Sequence, residues 1–138
     1  MDVAINYTPI LVATIAGMMV GSLWYSSALF GKRWMHEMKL SSKDMGSMMG
    51  KGMMKNYVIQ CIGLFVMAFV LWRVLQMGII PTTLIALQIA FWLWLGFMAT
   101  VLLGQVLWEK KSWILYSINA THYLVVVLVM TAVLAWWM

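Results

Sequence analysis

Asn119 and His122 are the two side chains of this sequence whose types and spacing are best suited to chemistry. They lie three residues apart in the stretch INATHYL, residues 118–124, inside a long apolar segment. Residues three apart share one face of a helix. His122 follows Trp113 by nine residues, which places it ~14 Å along a helix and near the middle of a bilayer. An ionisable group at that depth is a candidate functional site, because it is costly against lipid.

The polar side chains around this pair fall on one stripe of the predicted helix, which we therefore expect to face protein. The stripe consists of Ser112, Tyr116, Asn119, His122, Tyr123 and Val126. In a structural interpretation, Asn119 and His122 form hydrogen bonds to a neighbouring helix and fix its register. The candidate partners are Gln60, Gln88, Gln105 and Tyr25. In a functional interpretation, the pair borders a small polar ligand pocket together with Tyr25, Ser26 and Tyr116.

The acidic residues are too few and too poorly placed for most enzyme or pump chemistry. Asp2, Glu37, Asp44 and Glu109 all lie in predicted loops or near a terminus. The predicted spans therefore lack the membrane carboxylate that proton-coupled transporters generally use. The sequence also has no paired carboxylates, no HExxH motif and no nucleophile beside a base. We expect a protein that is not an enzyme and has no catalytic residues.

Metal and cofactor ligands are present but poorly specified. His122 and its counterpart in a dimer could ligate a haem iron. Soft ligands for Cu(I) are offered by His36 and the nearby methionines Met35, Met38, Met45, Met48 and Met49. Methionine is more often flexible packing material, and the single Cys61 is expected to be a small buried hydrophobe. We therefore expect no metal site, and no particular cofactor is indicated.

The composition indicates an integral membrane protein. The 138 residues are 64% hydrophobic and 9% charged, whereas soluble domains are roughly a quarter charged. Four apolar runs, at about 8–30, 56–77, 83–108 and 113–137, each reach the ~20 residues that cross a bilayer as a helix. Arg73, near the outer end of the second run, is the one charged residue within them, and its long side chain can reach the interface. The expected fold is all-α, a bundle of four transmembrane helices forming one domain over residues 1–138.

The basic residues predict the orientation of the bundle. Six lie between the first two spans and two between the last two: Lys32, Arg33, Lys39, Lys43, Lys51, Lys55, Lys110 and Lys111. By the positive-inside rule both loops face the cytoplasm and both termini lie outside it. The net charge of +5 then reflects topology and contact with anionic lipids, so no nucleic-acid partner is expected.

Residues near the span ends are expected to lie at the membrane interface. Lys32, Arg33, Trp34, Lys110, Lys111 and Trp113 are of the types that anchor helices at headgroup depth. Within the basic loop 31–55, residues 41–55 place methionines on one face of a helix and lysines on the other. This pattern predicts a short amphipathic helix lying on the inner leaflet.

Small residues recur at every fourth position in two spans. Gly17 and Gly21 follow this spacing in the first span, and Gly96, Thr100 and Gly104 follow it in the third. Such faces allow close helix packing, either within a chain or across a dimer. Four helices leave little interior room, so a pocket of useful size is expected between protomers, and a homodimer is favoured.

Three stretches together resemble a known family. "GSLWYSSALFGKRWM" (21–35), "WLGFMAT" (94–100) and "INATHYL" (118–124) are similar to the bacterial four-span family called domain of unknown function 1761. The resemblance implies a multi-pass protein of the bacterial inner membrane and confers no activity. It draws attention to Trp24, Tyr25, Gly31, Asn119 and His122, and so adds Trp24 to the candidate site.

Three functions remain open at this point. The first is a non-enzymatic membrane protein that binds a lipid, a small hydrophobic ligand or a membrane-protein partner between its helices. The second is a small homodimeric transporter or channel that uses Asn119 and His122, which requires aqueous access to His122. The third is a haem or copper protein.

Overall fold

A computed structural model of the chain describes residues 4–40, 43–44, 52–78 and 82–138. Within these ranges the regular structure is entirely helical: α1 (Tyr7–Trp24), α2 (Gly31–Glu37), α3 (Met53–Gln76), α4 (Thr83–Leu107) and α5 (Trp113–Trp137). Four of these described helices, α1, α3, α4 and α5, are long and apolar enough to cross a membrane. The predicted all-α, four-span fold is confirmed. The amphipathic helix predicted over 41–55 lies largely outside the described residues.

Polar caps begin three of the spans. The side chains of Asn6, Thr82 and Ser112 accept hydrogen bonds from backbone N–H groups in the first turns of α1, α4 and α5, where such groups have no partner within the helix.

The first span is shorter than the sequence predicts. α1 ends at Trp24 rather than near residue 30, and α2 begins at Gly31 inside the predicted loop. The chain reverses between them, with the Phe30 N–H donating to the Trp24 carbonyl at 3.0 Å and the Gly31 N–H donating to the Ser26 carbonyl at 2.9 Å. These backbone bonds end the helix although the sequence stays apolar as far as Phe30.

α5 is the central element of the bundle. In its most apolar stretch 44% of the residues are buried, against 17% in the corresponding stretch of α4. α1 and α4 both pack against α5, and α3 packs mainly against α1. A Cβ atom at Gly17 would lie 3.1 Å from the Met130 sulfur, and one at Gly21 would lie 3.4 Å from His122 Nε2. The small residues of α1 therefore let α5 approach closely.

The small residues of α4 point away from the rest of the described chain. A Cβ atom at Gly96 or Gly104 would meet no atom within 4 Å in the described structure. Thr100 between them is exposed, and its hydroxyl donates to the Gly96 carbonyl at 2.7 Å. These residues do not pack the described helices together, so a role across an interface stays a prediction.

The two ends of the bundle are packed differently. We call the end where α1 and α4 begin and α3 and α5 finish the apolar end, and the opposite end the basic end. The continuous core lies towards the apolar end and includes Ile10, Ala13, Leu64, Ala68, Leu71, Trp72, Leu75, Ala86, Ala90, Val126, Val127, Met130 and Leu134. Towards the basic end every residue of α3 from 54 to 63 is exposed, so this half of α3 stands away from its neighbours. Cys61 lies in it and is exposed; the prediction of burial was wrong.

Candidate functional site

Two tryptophans hold neighbouring helices against the same turn of α5. The Trp24 indole N–H at the end of α1 donates to the Ile118 carbonyl at 3.1 Å. The Trp94 indole N–H in α4 donates to the Ala120 carbonyl at 2.8 Å. The two carbonyls flank Asn119 in sequence, so α1 and α4 are both fixed where the polar stripe begins. The sequence does not single out Trp94 as a site residue, because composition does not reveal the acceptor of its indole N–H.

Asn119 is occupied by a hydrogen bond within the bundle. The Tyr25 hydroxyl donates to Asn119 Oδ1 at 2.8 Å, and Tyr25 was one of the four partners expected from the sequence. Trp34 packs edge-on against the Tyr25 ring, with 5.7 Å between ring centroids. The Oδ1 atom of Asn119 therefore has a structural role, because it accepts a hydrogen bond that connects α5 to the end of α1.

The turn before α2 requires glycine at position 31. A Cβ atom there would lie 2.4 Å from the Tyr25 carbonyl oxygen and 2.7 Å from that of Ser26. The Ser26 hydroxyl donates back to the Leu23 carbonyl at 2.6 Å. Ser26 is therefore a turn residue, and this tight turn positions the Tyr25 side chain over α5.

Tyr116 and Ser112 connect the start of α5 to two other helices. Leu95–Ala99 of α4 forms a short π-helical segment, a geometry that alters the regular backbone ladder. The Tyr116 hydroxyl donates to the Ala99 carbonyl at 2.9 Å. Ser112 donates to Glu37 Oε2 at 2.5 Å, which connects α2 to α5. Tyr116 therefore fixes the position of α4 relative to α5, and Ser112 fixes that of α2.

His122 differs from Ser112, Tyr116 and Asn119 of the stripe because its side chain has no hydrogen-bond partner in the described structure. Its side chain is 8% exposed, and neither Nδ1 nor Nε2 is bonded within the described part of the chain. The imidazole lies among aromatic rings, with centroids 4.9 Å from Tyr25, 4.9 Å from Tyr123 and 6.3 Å from Trp24. An uncharged imidazole carries one donor and one acceptor, and each buried polar group left unpaired costs ~1–3 kcal/mol.

A cavity of about 680 Å³ runs from His122 towards the basic end; we call it the cleft. Its deepest wall is apolar and formed by Gly17, Leu64 and Val126 from α1, α3 and α5. Of the predicted site residues, Tyr25, Asn119 and His122 line the cleft, whereas Trp24, Ser26 and Tyr116 do not. This cleft lies within one chain, whereas the sequence favoured a pocket between protomers.

Amides from α3 and α4 complete the polar lining. Asn56 and Gln60 line the cleft from the half of α3 that stands away, and Gln105 lines it from α4. Gln105 Oε1 is buried and has no hydrogen-bond partner within the described residues. Among the described residues that line the cleft, Glu109 and Lys111 alone carry a full charge, and both lie at its basic end.

The predicted interfacial anchors fall into two groups. Trp34 and Lys111 line the cleft. The others are exposed, as an anchor requires: Lys32, Arg33, Lys110 and Trp113. Arg33 also forms an ion pair with Glu37 at 3.2 Å.

Soft ligand atoms also line the cleft. Within the described ranges no three His, Cys, Asp or Glu side chains are grouped so that they could hold a metal ion. Four methionines do line the cleft together with His122: Met18, Met35, Met38 and Met53. Thioether and imidazole ligands suit Cu(I) better than harder cations.

Comparison with known proteins identifies one family. The sequence profile described as "Protein of unknown function (DUF1761)" matches residues 8–135, which covers all four membrane helices. Neither the curated proteins nor the solved structures gave a match.

Proposed function

The chain belongs to the family described as Protein of unknown function (DUF1761), and we propose that it is a non-enzymatic membrane protein that binds a small amphiphilic molecule in the cleft beside His122. The observation that carries this proposal is the pairing of a buried, unbonded imidazole with a cleft that leads to it. The neighbouring polar groups of α5 are satisfied by Trp24, Tyr25 and Trp94. His122 is the group that a ligand would satisfy.

The dimensions and lining of the cleft suit a small molecule. Ligand sites in proteins commonly enclose ~300–1,000 Å³ and combine apolar walls with a few polar groups, and the cleft, at about 680 Å³, falls in this range. Its walls are apolar at Met18, Leu64 and Val126 and polar at His122 and Gln105. A molecule with both an apolar body and a hydrogen-bonding group therefore matches the surface.

The packing of the apolar end supports binding more than conduction. Beyond the deep wall of the cleft, Ala13, Met130 and Leu134 are fully buried in the continuous core. In this structure the cleft is therefore closed towards the apolar end of the bundle. A transporter or channel would need this packing to open.

The charge distribution supports placing the basic end in the cytoplasm of a bacterial inner membrane. Lys32, Arg33 and Lys110 lie exposed at that end, and cytoplasmic loops carry such an excess of basic residues. Both termini would then lie outside the cytoplasm. A Cβ atom at Gly96 or Gly104 of α4 would meet no described atom within 4 Å, so this face leaves room for a second copy, and a homodimer is part of the proposal.

The four methionines favour a second candidate function. These methionines and His122 line one cavity, and thioether and imidazole groups suit Cu(I). This candidate predicts copper bound in stoichiometric amount, whereas the first predicts an organic ligand.

Native mass spectrometry of protein released from mild detergent tests the proposal. Wild-type protein should carry a defined extra mass, and His122→Leu should lose it. His36→Leu is the matched control, because His36 is exposed on α2 and does not line the cleft. Equal extra mass on all three proteins, or none on any, would contradict the proposal. A mass of copper would select the second candidate, and the same spectra report the subunit count.

A further inference from the structure

We infer that the ligand of the cleft is an uncharged lipid alcohol whose hydroxyl group hydrogen-bonds beside His122. This inference rests on the proposed function and narrows the ligand to one chemical class. Three observations support it: the charged residues of the cleft lie far from His122, unpaired hydrogen-bonding atoms line the cleft, and one half of α3 is exposed beside it.

The charges in the cleft exclude a charged group beside His122. Glu109 and Lys111 lie at the basic end, and His122 lies nine residues inside α5 from Trp113, a distance of ~14 Å along the helix. Among the described residues that line the cleft, a phosphate or carboxylate next to His122 would have no Lys or Arg side chain near it, and burying an unpaired charge is far costlier than burying a hydroxyl. A charged headgroup would stay at Lys111 and leave His122 unbonded.

The unpaired atoms require a ligand that both donates and accepts hydrogen bonds. The amide oxygen of Gln105 is buried without a partner in the described structure and can only accept. The uncharged imidazole of His122 offers one donor and one acceptor. Asn119 bonds neither group in the described structure; its Oδ1 accepts from the Tyr25 hydroxyl. A ketone or ester supplies acceptors alone, whereas a hydroxyl group supplies both functions.

The geometry of α3 explains why the alcohol should be a lipid. Residues 54–63 are all exposed, although they belong to a helix that is apolar enough to cross the membrane. An opening of the cleft beside this half of α3 would face the surrounding lipid. Met18, Leu64 and Val126 give the cleft an apolar wall along which acyl or prenyl chains can lie while the hydroxyl group reaches His122.

Matched soluble lipids test the inference on the full chain in detergent. The first pair of probes is 1,2-dioctanoylglycerol and its acetate ester, which differ by the free hydroxyl. The corresponding phosphatidic acid tests charge, and geranylgeraniol with its acetate asks whether a prenyl alcohol serves as well as a glyceride. A fluorophore on Cys61 reports binding, because Cys61 is the one cysteine of the sequence and lies exposed on α3.

The alcohol of at least one pair should bind at least tenfold more tightly than its acetate. His122→Leu should abolish this binding, with thermal melting showing that the variant is folded. Gln105→Leu should remove the preference for the hydroxyl and retain weak binding of the acetate. Gln88→Leu is the matched control and should behave as wild type. Gln88 is exposed on α4, the helix that also holds Gln105, and it does not line the cleft.

Distinct results separate failure of the inference from failure of the proposed function. Equal binding of alcohol and acetate, tighter binding of the phosphate, or no binding of any probe to a protein that carries another His122-dependent mass would overturn the inference and leave the proposed function standing. Unchanged binding by His122→Leu would overturn both.

Discussion

Gly31→Ala should be strongly destabilising, although the change adds one methyl group near the start of a short surface helix. A Cβ atom at this position would lie 2.4 Å from the Tyr25 carbonyl oxygen and 2.8 Å from the Ser26 carbonyl carbon. Both are backbone atoms, so no rotamer change relieves the contact. The turn must open, which also weakens the Gly31 N–H bond to the Ser26 carbonyl and displaces the Tyr25 side chain from Asn119.

The expected cost is the sum of overpacking and a weakened hydrogen bond. Forcing a methyl group into a tight site costs ~1–3 kcal/mol, and a backbone hydrogen bond contributes ~1 kcal/mol net. Together they lower the free energy of unfolding by about 2–4 kcal/mol, measured by thermal or denaturant unfolding in detergent. A shift of roughly 10 °C in melting temperature is the corresponding scale for a chain of this size.

Gly63→Ala is the matched control for this prediction. Gly63 lies inside α3, and a Cβ atom there meets nothing within 4 Å in the described structure. Alanine should stabilise the helix by ~0.5–1 kcal/mol. If Gly31→Ala melts within 2 °C of wild type, the backbone contact at Tyr25 does not constrain the turn and the reasoning is refuted.

Three further substitutions each test one hydrogen-bonding side chain of the bundle, by the same unfolding measurement. Tyr25→Phe removes the donor to Asn119 and should cost about 1 kcal/mol; a double-mutant cycle with Asn119→Leu that gives no coupling would refute the bond. Trp94→Phe should cost a similar amount, whereas Trp92→Phe, 66% exposed, should cost less than about 0.5 kcal/mol. Thr131→Val replaces a fully buried hydroxyl that has no partner within the described residues and should stabilise by ~1–2 kcal/mol, so clear destabilisation would show that the hydroxyl is bonded.

The sequence predicts the spans well because the bilayer imposes a simple requirement. A run of ~20 apolar residues must form a helix to satisfy its backbone, and the four long helices appear where the apolar runs are. The sequence did not predict that α1 ends at Trp24, and the reason is local. Apolar sequence continues to Phe30, and the turn that ends α1 depends on backbone bonds and on Gly31, which only the family resemblance indicated.

The candidate site was partly predictable because helical spacing fixes which side chains share a face. Spacing placed Asn119 and His122 on one stripe that was expected to face protein, and Tyr25 was one of the four candidate partners for the pair. It could not show that Asn119 would be bonded and His122 left unbonded, because that depends on the position of α1. The cleft arises from the divergence of α3, which leaves Cys61 exposed. Apolar residues face lipid and protein alike, so hydropathy does not reveal this divergence.

Nitrogen-15 solid-state NMR of histidine-labelled protein tests the central claim most directly, because it observes the imidazole of His122 itself. The sequence contains two histidines, and His36, exposed on α2, serves as an internal reference. Spectra of protein purified with its bound lipid and of protein stripped by detergent exchange should differ at Nδ1 or Nε2 of His122 and agree at His36. Identical His122 signals in the two samples would show that its nitrogen atoms bind no removable ligand, and would contradict the account.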